Sequence, residues 1–202
     1  MRPGRFIVFE GGEGCGKSTQ AALLAGTLDA VHTREPGGTP FGSQVRRLLL
    51  DPATGDVDPR AEALAMLADR AQHVATVVRP ALGAGRHVVS DRFAGSTLAY
   101  QGAGRGMEVE DLRRLSDWAS DGLWPDLTIV LDLPLDVAAQ RIGAAPDRFE
   151  QAGDAFHTRV RDGFLALAAA DPGGWVVLDG SGTVEVVADR VAAVVRDRLD
   201  LG

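Results

Sequence analysis

Five short apolar runs alternate along the chain with longer stretches whose apolar residues recur every three or four positions. The runs are RFIVFEG (5–11), AVHTRE (30–35), RHVVSDR (86–92), PDLTIVLDLP (125–134) and GWVVLDG (174–180). Their apolar residues occupy both faces, the pattern of strands covered by helices on either side. Helical periodicity marks STQAALLAGTL (18–28), GSQVRRLLLD (42–51), the long segment 59–85, VEDLRRLSDWASD (109–121) and PLDVAAQR (134–141). DAFHTRVRDGFLALAAAD (154–171) and TVEVVADRVAAVVRDRL (183–199) complete the helices, and a polar break, IGAAPDRFEQAG, precedes the former. Strand and helix in alternation predict an α/β fold with a five-stranded parallel sheet, helices on both faces and right-handed crossovers. No repeat or linker divides the chain, so one domain over 1–202 is expected, with ligands beyond the carboxyl ends of the strands.

Composition narrows the function classes. With 45% hydrophobic and 24% charged residues, the 202-residue chain reads as an ordinary globular protein able to bury a sizeable core. A net charge of −7 argues against nonspecific nucleic-acid binding, although local basic clusters can still meet phosphate. One cysteine, Cys15, excludes an internal disulfide framework. No run approaches the ~20 apolar residues of a membrane span, and the apolar stretch near the N-terminus is too short for a signal peptide. The expected address is therefore the cytoplasm. Asparagine is absent, and Lys17 is the sole lysine among 21 lysine and arginine residues. In a chain so biased toward arginine, a retained lysine points to a place that needs a compact point charge.

That place is GGEGCGKS, a match to G-x-x-x-x-G-K-[ST] from Gly11 to Ser18, set between a strand and a helix. Gly11, Gly14 and Gly16 allow backbone conformations that turn successive N–H groups around phosphate oxygens. The following helix adds the positive end of its dipole. Lys17 reaches the β- and γ-phosphates, and the Ser18 hydroxyl ligates Mg²⁺; Gly12 and Thr19 complete the ATP-binding segment. Glu13 is out of place in a phosphate cradle and must face elsewhere, either toward a sugar hydroxyl of a second substrate or into solvent. Cys15, near a helix N-terminus, is either a small filler or a thiol of lowered pKa.

A guanine-reading Asn-Lys-x-Asp motif cannot exist in a chain without asparagine, so a GTPase switch is disfavoured. A small-molecule kinase fits the length. REPGGT (34–39), DRF (91–93) with STLAYQGAGRG after it, PDLTIVLDL (125–133) and DRFEQ (147–151) follow FEGGEGCGKSTQ in sequence. In this order and spacing the chain resembles the bacterial branch of the thymidylate kinase family from Arg5 to about Arg198. The resemblance implies a three-layer P-loop NTPase fold with a short lid at about 141–150. It also implies transfer of the ATP γ-phosphoryl group to the 5′-phosphate of dTMP with Mg²⁺, and a homodimer packed through helices.

Roles follow from the resemblance. Asp91, at a strand end, holds Mg²⁺ with Ser18, whereas Asp132 in the same kind of position reads as the start of a turn. Arg92 bridges the transferred phosphoryl and the acceptor phosphate. Arg46, which would otherwise read as a solvated helix position, grips the acceptor monophosphate, with Glu35 and Pro36 in the loop behind it. Arg70, in a mostly apolar helix, hydrogen-bonds a thymine carbonyl. Ser96, Thr97 and Gln101 line the rest of the base and sugar site, and Tyr100 crowds the place of a 2′-hydroxyl. The adenine would pack near the lid and DGSGT (179–183).

Two departures stand out. Met66 occupies the place of the family's stacking aromatic, and a thioether can still pack on a ring. Gly14 and Gly143 stand where relatives carry a basic residue in the loop or the lid. Arg141 and Arg148 are then the expected lid cations, with Arg159 and Arg161 behind them. The competing readings are a kinase for another nucleotide or a nucleoside, and a slow nucleotide-binding switch.

Overall fold

The computed structural model describes residues 4–141 and 147–201. Five strands form one parallel sheet: β1 (Phe6–Glu10), β2 (Val31–Arg34), β3 (Val88–Asp91), β4 (Leu127–Asp132) and β5 (Trp175–Asp179), in the order β2-β3-β1-β4-β5. The helices are α1 (Lys17–Thr27), α2 (Pro40–Leu50), α3 (Pro59–His73), α4 (Arg79–Gly83), α5 (Ala94–Thr97), α6 (Val109–Ala119), α7 (Leu135–Ala139), α8 (Asp154–Ala170) and α9 (Val184–Leu199). A π-helical turn, Val74–Val78, joins α3 to α4, so the predicted segment 59–85 is one continuous helical rod with a local widening.

Alternate β1 residues supply the two cores, as the two-residue period of a strand requires. Ile7 and Phe9 pack with Leu127, Ile129 and Leu131 against Ala21, Leu24, Val187, Val191 and Val195 of α1 and α9. Phe6 and Val8 pack on the opposite face with Val74, Val78, Val88 and Phe93. Tyr100, Phe149, Phe156, Val160 and Phe164 cover Val130 on that same side. The predicted sheet and its two helical layers are all present.

Helix starts follow cap chemistry. Thr39 accepts from the Gly42 N–H with Pro40 at the first helical position, which begins α2 two residues before the apolar periodicity does. Asp58 with Pro59 does the same for α3, and Thr183 for α9. Sequence periodicity missed α5 and the π-helical stretch Leu98–Gly104 that continues it. Its glycines lower helix propensity. Gly104 is there because α8 lies close: a Cβ on it would stand 2.6 Å from the Phe156 ring, and from the α8 side a Cβ on Gly163 would stand 2.7 Å from Ala103, whereas Gly95 is crowded by Trp175 and Gly102 by Val109 of α6. Short 3₁₀ turns at Pro52–Thr54 and Glu150–Ala152 were also unpredicted.

Register decides where the chemistry goes. Phe9 and Arg34 both sit beside Asp91, Glu10 beside Val130, and Asp132 beside Asp179. The carboxyl ends of all five strands therefore carry their polar residues to one edge of the sheet.

Candidate functional site

Two pockets open at that edge and meet. The larger, about 620 Å³, is lined by the loop from Glu13 to Thr19, by Gln20, Arg34, Asp91 and Arg141, and by Gly180, Gly182, Thr183 and Val184 before and at the start of α9. The smaller, about 70 Å³, lies among Pro36, Leu50, Met66, Arg70, Phe93, Ser96, Thr97, Tyr100, Gln101 and Phe149. Glu13, Glu35, Arg46 and Arg92 line both.

The glycine loop has the conformation its residues predict. Gly11, Gly14 and Gly16 all have positive φ. At Gly14 a Cβ would also stand 2.5 Å from the Ala138 carbonyl oxygen, so both the φ of 71° and the close approach of α7 demand glycine. Buried Lys17 donates to the Gly12 carbonyl at 2.5 Å and lies 3.5 Å from the Cys15 sulfur. Cys15 itself is buried in the core behind the loop, in the filler role. The Ser18 hydroxyl donates to Asp91 Oδ2, and Asp91 Oδ1 is buried without a hydrogen-bond partner. A hydroxyl and a carboxylate with a spare oxygen form a donor set that suits Mg²⁺, which takes few protein ligands and completes its shell with water and phosphate.

Arg92 follows Asp91 with a φ of 72°, a left-handed backbone rare for a side-chain-bearing residue. Its guanidinium donates to the Gly11 carbonyl (3.2 Å), Ser96 Oγ (3.1 Å), Glu13 Oε1 (2.5 Å) and Tyr100 Oη (3.1 Å), and it lies over the Tyr100 ring. Tyr100 Oη donates to the same Glu13 oxygen at 2.8 Å. Burial pushes the Glu13 carboxyl up, but Arg92 and Lys17 beside it prevail and hold it at about 2. Glu13 thus faces the junction of the two pockets, bound to Arg92 and Tyr100, and the solvated-loop alternative does not apply.

Glu10, fully buried at the end of β1, was not anticipated as a site residue. It accepts from the backbone N–H of Phe93 (3.0 Å) and Ser96 (2.9 Å) and from Ser96 Oγ (2.6 Å). It therefore fixes the turn that carries Arg92 and the Ser96 hydroxyl to which Arg92 donates. Burial raises its pKa to about 7 against the opposing pull of Ser96 and Arg92. An acidic residue closing an otherwise apolar strand was the signal that could have found it.

A second network underlies the smaller pocket. Buried Arg70 donates to Glu35 (2.9 Å), Ser116 (3.2 Å) and Thr97 (3.0 Å), which answers the need of its charge for a partner. His73 bridges Glu35 (2.8 Å) and Thr33 (2.7 Å). Asp69 accepts from the Gly37 N–H at 3.1 Å, and its other oxygen has no partner. Burial, with Glu35 nearby, raises Asp69 to about 6. The Glu35–Pro36 peptide is cis, a point the sequence could not decide. Arg46 donates to the Pro36 carbonyl at 3.1 Å and projects to the junction, its pKa lowered by burial and by Arg34 and Arg92. Met66 lines the smaller pocket.

The lid residues divide. Arg141 lines the larger pocket. Arg148 does not: it donates to the Leu49 carbonyl (2.8 Å) and to Glu62 (2.6 Å), and so is held on the acceptor side rather than among the loop N–H groups. Its placement departs from the expected second lid cation, because a fully buried carboxylate captures it. Arg161 forms a two-point ion pair with Asp132 (2.6 and 2.8 Å), and Arg159 donates to the Gly104 carbonyl. Both are structural ties, and Asp132 is a strand-end residue as read. Gly143 lies outside the described residues. Arg34 and Gln20 line the larger pocket without having been singled out.

The match to known proteins covers the same parts. Residues 9–191 match the model of the family described as thymidylate kinase. The chain belongs to the thymidylate kinase family. It is 52% identical to a thymidylate kinase of Leifsonia xyli subsp. xyli over 98% of this chain and 96% of that protein. It is 50% identical to one of Chromobacterium violaceum over 95% and 93%. The crystal structure of a thymidylate kinase from Ehrlichia chaffeensis superposes with a TM-score of 0.80 and 33% identity, covering 96% of this chain and all of that one.

A pH prediction follows from Glu10. Its folded-state pKa of about 7 exceeds the unfolded value of 4.5, so its contribution to stability is full in acid and is lost as pH rises through 7. Relative to Glu10→Gln, the wild-type protein should lose about 2–3 kcal/mol between pH 5 and pH 8. Urea denaturation of both across that range checks this, and parallel stability curves would refute it.

Proposed function

We propose that this protein transfers the γ-phosphoryl group of ATP to the 5′-phosphate of dTMP, yielding ADP and dTDP. The observation carrying the reading is the meeting of two pockets at Arg46, Arg92 and Glu13, with the glycine loop on one side and a slot lined by Met66, Arg70, Thr97 and Gln101 on the other. The acceptor is already an anion and needs no strong general base, so catalysis is alignment and charge neutralisation. Lys17 and the loop N–H groups hold the donor phosphates, and Arg92 spans donor and acceptor. Arg46 grips the acceptor phosphate, and Arg141 supplies lid charge. Ser18 and Asp91 are the residues that would hold Mg²⁺, whose charge would offset that of the donor phosphates. Arg148 roots the lid on Glu62.

In the smaller slot Arg70 and Thr97 meet the carbonyl edge of the base, Gln101 its N3 position, and Met66 and Phe93 its faces. Tyr100 and Glu13 stand at the sugar, where Tyr100 disfavours a 2′-hydroxyl. Glu35, Pro36 and Ser96 shape the wall on which these groups rest. No described helix is long and apolar enough to cross a membrane.

The protein works as a homodimer in this reading. Neighbouring helices α2, α3 and α6 expose Leu48 (65%), Leu64 (60%) and Trp118 (80%), apolar side chains that a solvated monomer gains nothing by presenting. Trp118→Glu should shift the species seen by light scattering to half the wild-type mass, and an unchanged mass would exclude this face.

The substrate assignment is checked with ATP, Mg²⁺ and each nucleoside monophosphate in turn. dTMP should release ADP far faster than dAMP, dGMP or dCMP, and equal rates would end the specificity claim. In the same assay Lys17→Arg should fold but lose most phosphoryl transfer, because a planar fork cannot replace a point charge between β- and γ-phosphates. Near-normal turnover would sink that role.

A further inference from the structure

Glu62 is fully buried on α3, yet it lines neither pocket of the candidate site. Its carboxylate collects three partners from two separate segments. Gln101 Nε2 donates to Oε1 at 2.8 Å, Arg105 donates to Oε1 (3.3 Å) and Oε2 (3.2 Å), and Arg148 donates to Oε2 at 2.6 Å. The other end of the Gln101 amide, Oε1, is buried without any hydrogen-bond partner, and Gln101 lines the smaller pocket.

A side-chain amide can present either its oxygen or its NH₂ to a ligand, and the two orientations read opposite base edges. A carboxylate flanked by two guanidiniums only accepts. It therefore forces the NH₂ of Gln101 toward itself and leaves the oxygen for the pocket. A buried acceptor with an unmet hydrogen bond strongly favours a ligand that brings a donor and penalises one that brings a lone pair.

We infer that Glu62 is a specificity-determining positioning residue: by fixing the Gln101 amide it makes the acceptor slot select a pyrimidine whose N3 carries a proton over one whose N3 is a lone pair. The inference rests on the proposed acceptor reading and deepens it. Thymine has an N3–H and cytosine has an N3 lone pair, so the selection falls between dTMP and dCMP. Glu62 touches no substrate and acts through Gln101. Its simultaneous hold on Arg148 places the lid root and the base reader on one carboxylate.

The test compares kcat/KM for dTMP and dCMP in wild type and Glu62→Gln. A glutamine at 62 can accept or donate, so the Gln101 amide is free to turn. The dTMP-to-dCMP ratio should fall at least tenfold, while the KM for ATP holds. Glu62→Asp keeps the charge beside Arg105 and Arg148 but shortens the reach to Gln101. It should narrow the ratio in the same direction, and it serves if Glu62→Gln does not fold. In a Gln101→Met background either change should leave the ratio where Gln101→Met alone puts it, because the effect passes through Gln101. A wild-type ratio in a folded Glu62 variant, or an equal Glu62 effect in the Gln101→Met background, overturns the inference. Failure of the wild-type protein to use dTMP would instead overturn the proposed function.

Discussion

The ion pair between Arg92 and Glu13 is the interaction on which the rest of the site depends. One guanidinium reaches the Gly11 carbonyl of the phosphate loop, the Ser96 hydroxyl of α5 and the Tyr100 hydroxyl, and it is fixed by the Glu13 carboxylate. These groups come from two chain segments, and only the parallel register of β1 and β3 brings their origins together. Without the pair, donor and acceptor walls would be adjacent but not tied. The left-handed backbone at Arg92 is sustained because Glu10 fixes the next turn from below.

A site for two phosphorylated ligands has to concentrate cations in an acidic protein with a net charge of −7. Clustered arginines repel one another: the pKa of Arg46 is lowered first by burial and then by Arg34 and Arg92 beside it. The structure answers by placing a carboxylate behind each arginine that must stay still. Glu13 backs Arg92, Glu35 backs Arg70, and Glu62 backs Arg148. Arg46 leans instead on the Pro36 carbonyl, and Arg141 stays exposed on the lid side of the cleft. Arg70 and Arg92 line the smaller pocket, whereas the exposed Arg141 lines the larger one. That division suits a lid that closes over a prearranged acceptor.

Carboxylates also fix what neutral groups present. Glu10 immobilises Ser96, and Glu62 leaves the Gln101 oxygen bare. Each is fully buried and contributes by aiming a neighbour.

Much of this protein was determined by local sequence. The two-residue and three-to-four-residue periods specify the five strands and the main helices, because burial of a face is a local pattern. The loop from Gly11 to Ser18 specifies a phosphate cradle, because its backbone conformations demand glycine wherever they occur. Asp91, Arg46, Arg70 and Arg92 were legible through their order along the chain. Tertiary structure alone decided the remainder. It set α5 and its π-helical continuation, whose glycines answer to Trp175, α6 and α8 rather than to helix propensity. It drew Arg148 away to Glu62, 86 positions earlier in the chain, and turned Gln101 toward that same acid. The reason is the range of the forces. Propensity and burial period act within a few residues, whereas the partner of a buried charge is chosen by whatever the fold brings within 3 Å of it.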